Sequence, residues 1–159
     1  MCVIHNDIFP LRPININNKL KEFYDEIKQY SLNNIICIDE TSINGLQTRY
    51  HCYNKIGKRC IIKTQSQDVF KKYTAIFAIS SNGIEGFELY EKGGIDTERL
   101  IKFLETNILS KYQNKLIILD NASSHRNERI RNLINKHNKV LYSVPYQHYT
   151  NSIEGFFSV

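Results

Sequence analysis

Three acids in this sequence have the types and spacing to do chemistry together: Asp39, Asp120 and Glu154. Asp39 closes the apolar run Ile35-Ile36-Cys37-Ile38, and Asp120 closes a second one, Leu116-Ile117-Ile118-Leu119. An unbroken apolar run of this length is what a strand covered on both faces looks like. If the two strands are adjacent and parallel, their final acids stand side by side near the same end of a sheet. Carboxylates so placed repel, and the pair is costly unless a proton or a cation lies between them. A donor set made only of oxygen favours Mg²⁺ or Mn²⁺ over zinc. Glu154 completes the set if the helix that carries it packs against the same sheet edge. Three acids can then hold two ions about 3.5 to 4 Å apart, one activating the attacking oxygen of a phosphodiester reaction and the other stabilising the leaving oxygen. On this reading Asp120→Asn relieves repulsion and leaves the metal-free chain no less stable. Each acid also has a plainer reading: aspartate commonly ends strands and begins turns, and Glu154, three residues after Asn151, fits the reciprocal position of a capping box.

The elements that must position these acids follow from periodicity. Leu20, Phe23, Tyr24, Ile27 and Tyr30 recur at spacings of three and four, which predicts an amphipathic helix over about 16–30. A strand over 35–38 follows, and a second is expected near 60–64. Tyr73 to Ser80 and Gly86 to Tyr90 read as two strands joined at Asn82-Gly83, a pair suited to tight hairpins. Asp96 caps a helix running to about Ser110 that buries Leu100, Ile101, Leu104 and Ile108. The strand ending at Asp120 comes next, then a short helix through Ile130, Leu133 and Ile134, a strand over about 140–144, and a last helix beginning at Asn151. A hairpin followed by helix-linked strands predicts an α/β domain with a mixed sheet flanked by helices.

A chain of 159 residues with 42% hydrophobic content suffices for one domain with a real core. It contains no apolar run near the roughly 18 residues of a membrane span and no secretory signal pattern. The expectation is therefore a protein that is intracellular and not secreted or membrane-bound. Cys2, Cys37, Cys52 and Cys60 show no paired spacing, so they read as reduced thiols rather than disulfides or a zinc site. Net charge is +5, but it is unevenly spread: Arg49, Lys55, Lys58, Arg59, Lys63, Lys71 and Lys72 face only Asp68 across 49–72. That stretch carries +6 and the rest of the chain about −1, the distribution of a surface that meets phosphates. A solvated basic loop or a lysine-protected edge strand would have the same composition.

Three blocks resemble the DDE transposases of the mariner and related bacterial insertion-sequence superfamily, across about residues 34–157. Ile38-Asp39-Glu40-Thr41 is similar to that family's strand-end acid motif, and Lys55, Gly57, Lys58 and Arg59 to the lysine-glycine stretch after it. Leu119-Asp120-Asn121-Ala122-Ser123-Ser124-His125 resembles the second-acid block, in which an aspartate-asparagine pair is followed by histidine. Pro145-Tyr146, then Asn151, Ile153 and Glu154, resemble the loop and glutamate-bearing helix that close the family's site, and the 33 residues between Asp120 and Glu154 match its separation. The family loop has further prolines where this chain has His148 and Ser152, which loosens the placement of Glu154.

The resemblance implies a ribonuclease H-like fold in which Asp39, Asp120 and Glu154 are catalytic and bind a two-metal Mg²⁺ or Mn²⁺ site. Asn121 and His125 would orient a ligand or touch phosphate, and Arg49, Lys55, Lys58, Arg59 and Lys63 would contact nucleic acid. The implied activity is metal-dependent cleavage at transposon ends followed by attack of the freed 3′-hydroxyl on target DNA. The partners would be DNA and either a second copy or a separate chain supplying the helix-turn-helix modules for which the N-terminal stretch is too short. The implied organisation is a linker helix region over 1–33 and a catalytic domain over 34–159 that is short at its C-terminus. Two other functions fit the same residues. One is a catalytically decayed remnant that only binds nucleic acid or another subunit; the other is a different ribonuclease H-like nuclease, which the asparagine of the second block disfavours.

Overall fold

In a computed structural model the described residues are 16–44, 53–59, 61 and 71–157. Helix α1 (Ile16–Ile27) precedes strand β1 (Ile35–Asn44), the hairpin β2 (Lys72–Ser80) and β3 (Gly83–Tyr90), helix α2 (Thr97–Phe103), strand β4 (Leu116–Leu119), helix α3 (Glu128–Ile134), strand β5 (Lys139–Tyr142) and helix α4 (Ile153–Phe157). The strands form one mixed sheet in the order β3-β2-β1-β4-β5. β1 pairs antiparallel with β2 and parallel with β4, and β4 pairs parallel with β5. This is the expected α/β architecture.

Alternation along the strands sorts the core into two layers. Ile36 and Ile38 of β1 join Ile117 and Leu119 of β4 against Leu100, Phe103, Leu104, Ile108, Ile130 and Ile134 from the α2 and α3 side. Cys37 of β1 joins Leu116 and Ile118 of β4 against Phe23 of α1 and Ile153 of α4. The two inner strands therefore have no polar face, which is why their sequences read as unbroken apolar runs.

Several expectations are corrected in detail. β1 does not end on Asp39: it runs on to Asn44 because β2 continues to pair with it, from Asp39 opposite Phe77 to Asn44 opposite Lys72. Only the parallel partner stops. The strand expected near 60–64 lies, apart from Ile61, outside the described residues. β3 begins at Gly83 rather than Gly86, with Ser80 opposite Gly83, so the tight loop is Ser81-Asn82. The register then shifts, Ile79 facing Ile84 and Ala78 facing Gly86, which leaves Glu85 as the extra residue of a bulge. Gly86 is required by packing: a Cβ there would come within 2.8 Å of Asn107 Cβ. Asp96 caps α2 as expected, its carboxylate accepting from Arg99 N–H at 2.9 Å, but the helix passes into a π-helical turn over Leu104–Leu109.

Candidate active site

The parallel register places the first two acids together. Cys37 faces Ile118 across β1 and β4, so two residues further along each chain Asp39 and Asp120 stand at the same level. The alternation that turns Cys37 and Ile118 toward α4, continued by two residues, turns both acids to that same face. β4 leaves the sheet at Leu119, so the two acids lie where the central pairing opens. α4 then brings in the third acid. Ile153 is fully buried in the layer beneath it, and Glu154, half-buried, lines a cavity of about 370 Å³ together with Asp120, Asn121, Pro145, Tyr146 and Asn151.

The electrostatics are those of acids brought close together. Asp39 is buried, and its carboxyl is pushed up to about 6, first by burial and then by the charges of Asp120 and Glu154, against a hydrogen bond from Glu40 N–H at 2.7 Å. Asp120 goes the other way. Burial raises it, but the hydrogen bond and charge of His125 and the Ala122 N–H together outweigh burial and hold it below the usual carboxylate range. His125 is in turn held high: burial lowers it, and the bond and charge of Asp120, helped by Glu40 and Asp39, overcome that. His125 is 3% exposed and meets Asp120 Oδ1 through Nδ1, while its backbone carbonyl accepts from Tyr142 O–H at 3.1 Å. Asp120 is therefore the member of the pair whose charge has a partner, in His125. The repelled member of the pair is Asp39.

The donor set suits a hard divalent cation. Among the described residues the hydrogen bonds to the two aspartates fall on Oδ1, from Glu40 N–H on Asp39 and from Ala122 N–H and His125 on Asp120, and none of these bonds uses Oδ2. Among the described residues no three His, Cys, Asp or Glu side chains close into a ligand cage. Mg²⁺ ordinarily uses one or two carboxylates and keeps water or substrate oxygens in its other positions, so the open arrangement fits it.

The other predicted residues are placed less centrally. Asn121 is half-buried on the cavity wall. Lys55, Lys58 and Arg59 are exposed on a tight turn in which Lys58 N–H donates to Lys55 O at 2.9 Å and Gly57 takes φ +79. Arg49 and Lys63 lie outside the described residues. Sequence reasoning missed Tyr142, whose hydroxyl steadies the His125 loop, and misread Asn151. Its side chain does not cap α4; Nδ2 donates instead to Ile38 O at 3.3 Å. An exposed capping asparagine and a buried bridging one have the same local sequence, and only the tertiary partner separates them.

A model of the family described as DDE superfamily endonuclease matches residues 34–159. The chain belongs to that superfamily. Among solved structures, this DDE chain is similar to the Mos1 transposase paired-end complex with left transposon end, at 17% identity and TM-score 0.72, covering 99% of this chain and 50% of that one. It is also similar to the Mos1 strand transfer complex, at 20% identity and TM-score 0.69, covering 90% and 45%. The Mos1 mariner paired-end complex with Mn matches at 18% identity and TM-score 0.64, covering 90% and 46%. The sheet and its flanking helices thus have the ribonuclease H-like fold that the sequence motifs implied. The DDE chain spans about half the length of these transposase chains. Comparison with curated proteins finds no match. No helix among the described residues is long and apolar enough to cross a membrane.

Proposed function

We propose that residues 34–159 form the catalytic unit of a transposase, cleaving DNA at transposon ends and joining the freed 3′-hydroxyl to target DNA. The observation that supports this reading is the parallel register of β1 and β4, which brings Asp39 level with Asp120 just past the end of β4, while Glu154 of α4 lines one cavity with Asp120. The similar structures support the partner and cofactor, since one holds a transposon end and another holds Mn. DNA is then the substrate, Mg²⁺ or Mn²⁺ the cofactor, and the site of action wherever the DNA lies.

Asp39, Asp120 and Glu154 would hold the ions, which when bound supply Lewis acidity to the attacking and leaving oxygens of the phosphodiester. The chain's own contribution is placement and charge. The two central strands, apolar on both faces, fix the aspartates to a rigid frame. His125 holds Asp120 ionised through Oδ1, and Tyr142 fixes the loop that carries His125. Asp39 is held near the point of ionisation by burial and by its acidic neighbours, so a cation there has a large electrostatic gain to collect. The exposed turn with Lys55, Lys58 and Arg59 would meet the phosphate backbone.

Nicking of supercoiled plasmid in Mn²⁺ tests the reading, with Glu154→Gln as the control. Wild-type chain should nick in Mn²⁺ and not in EDTA, and the variant should lose at least about 100-fold, in line with removal of a metal-bound carboxylate. Retained DNA binding with no metal-dependent nicking would instead support the decayed remnant.

A further inference from the structure

Asn151 sits between the two parts of the site. It is 3% exposed, and Nδ2 donates to the carbonyl of Ile38, the residue directly before Asp39, across 113 positions of sequence. On its backbone side, the Glu154 N–H donates to Asn151 O at 3.2 Å. One residue is therefore bonded by its side chain to the strand that carries the first acid and by its main chain to the third acid. The β1–β4 pairing ends at Cys37 opposite Ile118, so the amide reaches β1 just where β4 lets go.

The start of α4 is pinned at more than one point, and Asn151 is one of them. Thr150 supplies a second pin, its Oγ1 accepting from Val144 N–H at 3.0 Å and donating to Gln147 O at 2.7 Å, but that anchors the turn to the end of β5 and not to the acids. Asn151 spans from the start of α4 to β1, where Ser152 also meets Cys37. Its Oδ1 is buried without a hydrogen-bond partner among the described residues, a penalty that an apolar side chain would not incur. A buried unpaired group in a native structure calls for a reason. Stability is not that reason.

We infer that Asn151 is the positioning residue of Glu154, holding α4 on β1 so that Glu154 faces Asp39 and Asp120. This rests on the proposed function only in treating Glu154 as a metal-binding acid.

The test compares the wild-type chain with Asn151→Ala, Asn151→Leu and, as a control of the opposite core layer, Ile134→Val. Leucine fills the space that alanine empties, so a defect shared by both variants belongs to the amide bond and not to a void. In metal-free protein, amide hydrogen exchange at Glu154 and Phe157 should rise at least about ten-fold in both Asn151 variants while β4 amides keep their protection; Ile134→Val should show no such local preference. Calorimetric Mn²⁺ affinity should fall about 10- to 100-fold in both Asn151 variants and stay native in the control. Native exchange in α4, or native Mn²⁺ affinity with the amide gone, overturns the inference. If the alanine variant does not fold, the leucine variant carries the comparison. If the wild-type chain itself binds no Mn²⁺, the proposed function fails, and the exchange measurement still decides whether Asn151 places α4.

Discussion

Asp39→Asn should make the metal-free protein more stable, by an amount that depends on pH in a defined way. The Asp39 carboxyl is raised from 3.8 to about 6 in the folded chain. Below its unfolded value the group is protonated in both states and contributes nothing. As pH rises from there through the folded value, the unfolded chain ionises first, and stability drains away until the carboxylate is fully charged in both states. A shift of about 2 units corresponds to a penalty of about 3 kcal/mol that persists at all higher pH. Asparagine keeps an acceptor for the Glu40 N–H and carries no charge, so it removes that penalty. For a domain of this size about 3 kcal/mol is a rise in Tm of roughly 6 to 12 °C. Melts followed by circular dichroism in EDTA should show this gap above about pH 7 and show it closing near about pH 4. Mn²⁺ should nearly close the gap: a cation that binds only the folded state at 100 times its Kd adds about 2.7 kcal/mol to the wild type, and the variant should gain little. If the Asp39→Asn protein is instead less stable than wild type in EDTA at neutral pH, the reasoning is refuted, because Asp39 is then a satisfied carboxylate and not a repelled one.

Two further outcomes follow from neighbouring groups. Asp120→Asn should lower stability by about 1 to 3 kcal/mol near neutral pH, through loss of a charge-assisted bond to buried His125; because His125 is raised by that bond, the deficit should shrink as pH climbs through its folded value, and a pH-independent deficit in urea titrations would show that the charge is not the cause. Replacing Lys55, Lys58 and Arg59 together by alanine should flatten the salt dependence of duplex binding by about 0.9 for each phosphate no longer neutralised, and an unchanged slope in fluorescence anisotropy would remove that turn from the interface.

The acids were legible because the sheet writes its interior into the sequence. Four apolar residues and then an acid, twice, is what two doubly covered parallel strands require, and strands of equal apolar length bring their acids to one level and one face. The extent of β1 was not legible, since pairing with β2 alone keeps Asp39 inside a strand whose apolar run has already ended. The hairpin shows the same limit: Asn82-Gly83 marked the turn within one residue, but the bulge at Glu85 depends on side chains elsewhere, the carboxylate of Glu85 accepting from Ser80 and from Tyr112 on the far side of the π-helical turn.

Asn151 and His125 mark where local reading fails in principle. Asn-x-x-Glu before an apolar residue is the signature of a capping box, and a histidine ahead of a helix is ordinarily a surface group. Both patterns are local, and both residues have been taken over by partners that no local window contains: Asn151 by the carbonyl of Ile38, His125 by the combined field of Asp120, Asp39 and Glu40. In each case the takeover carries a cost: among the described residues the Asn151 amide oxygen and the buried His125 Nε2 have no hydrogen-bond partner. A sequence shaped only for stability would have filled both positions with apolar side chains, as it did at most of the other buried positions described. His125 and Asn151, the two that keep an unpaired polar atom, are bonded to Asp120 and to the strand before Asp39, so the local misfit is itself a mark of the site.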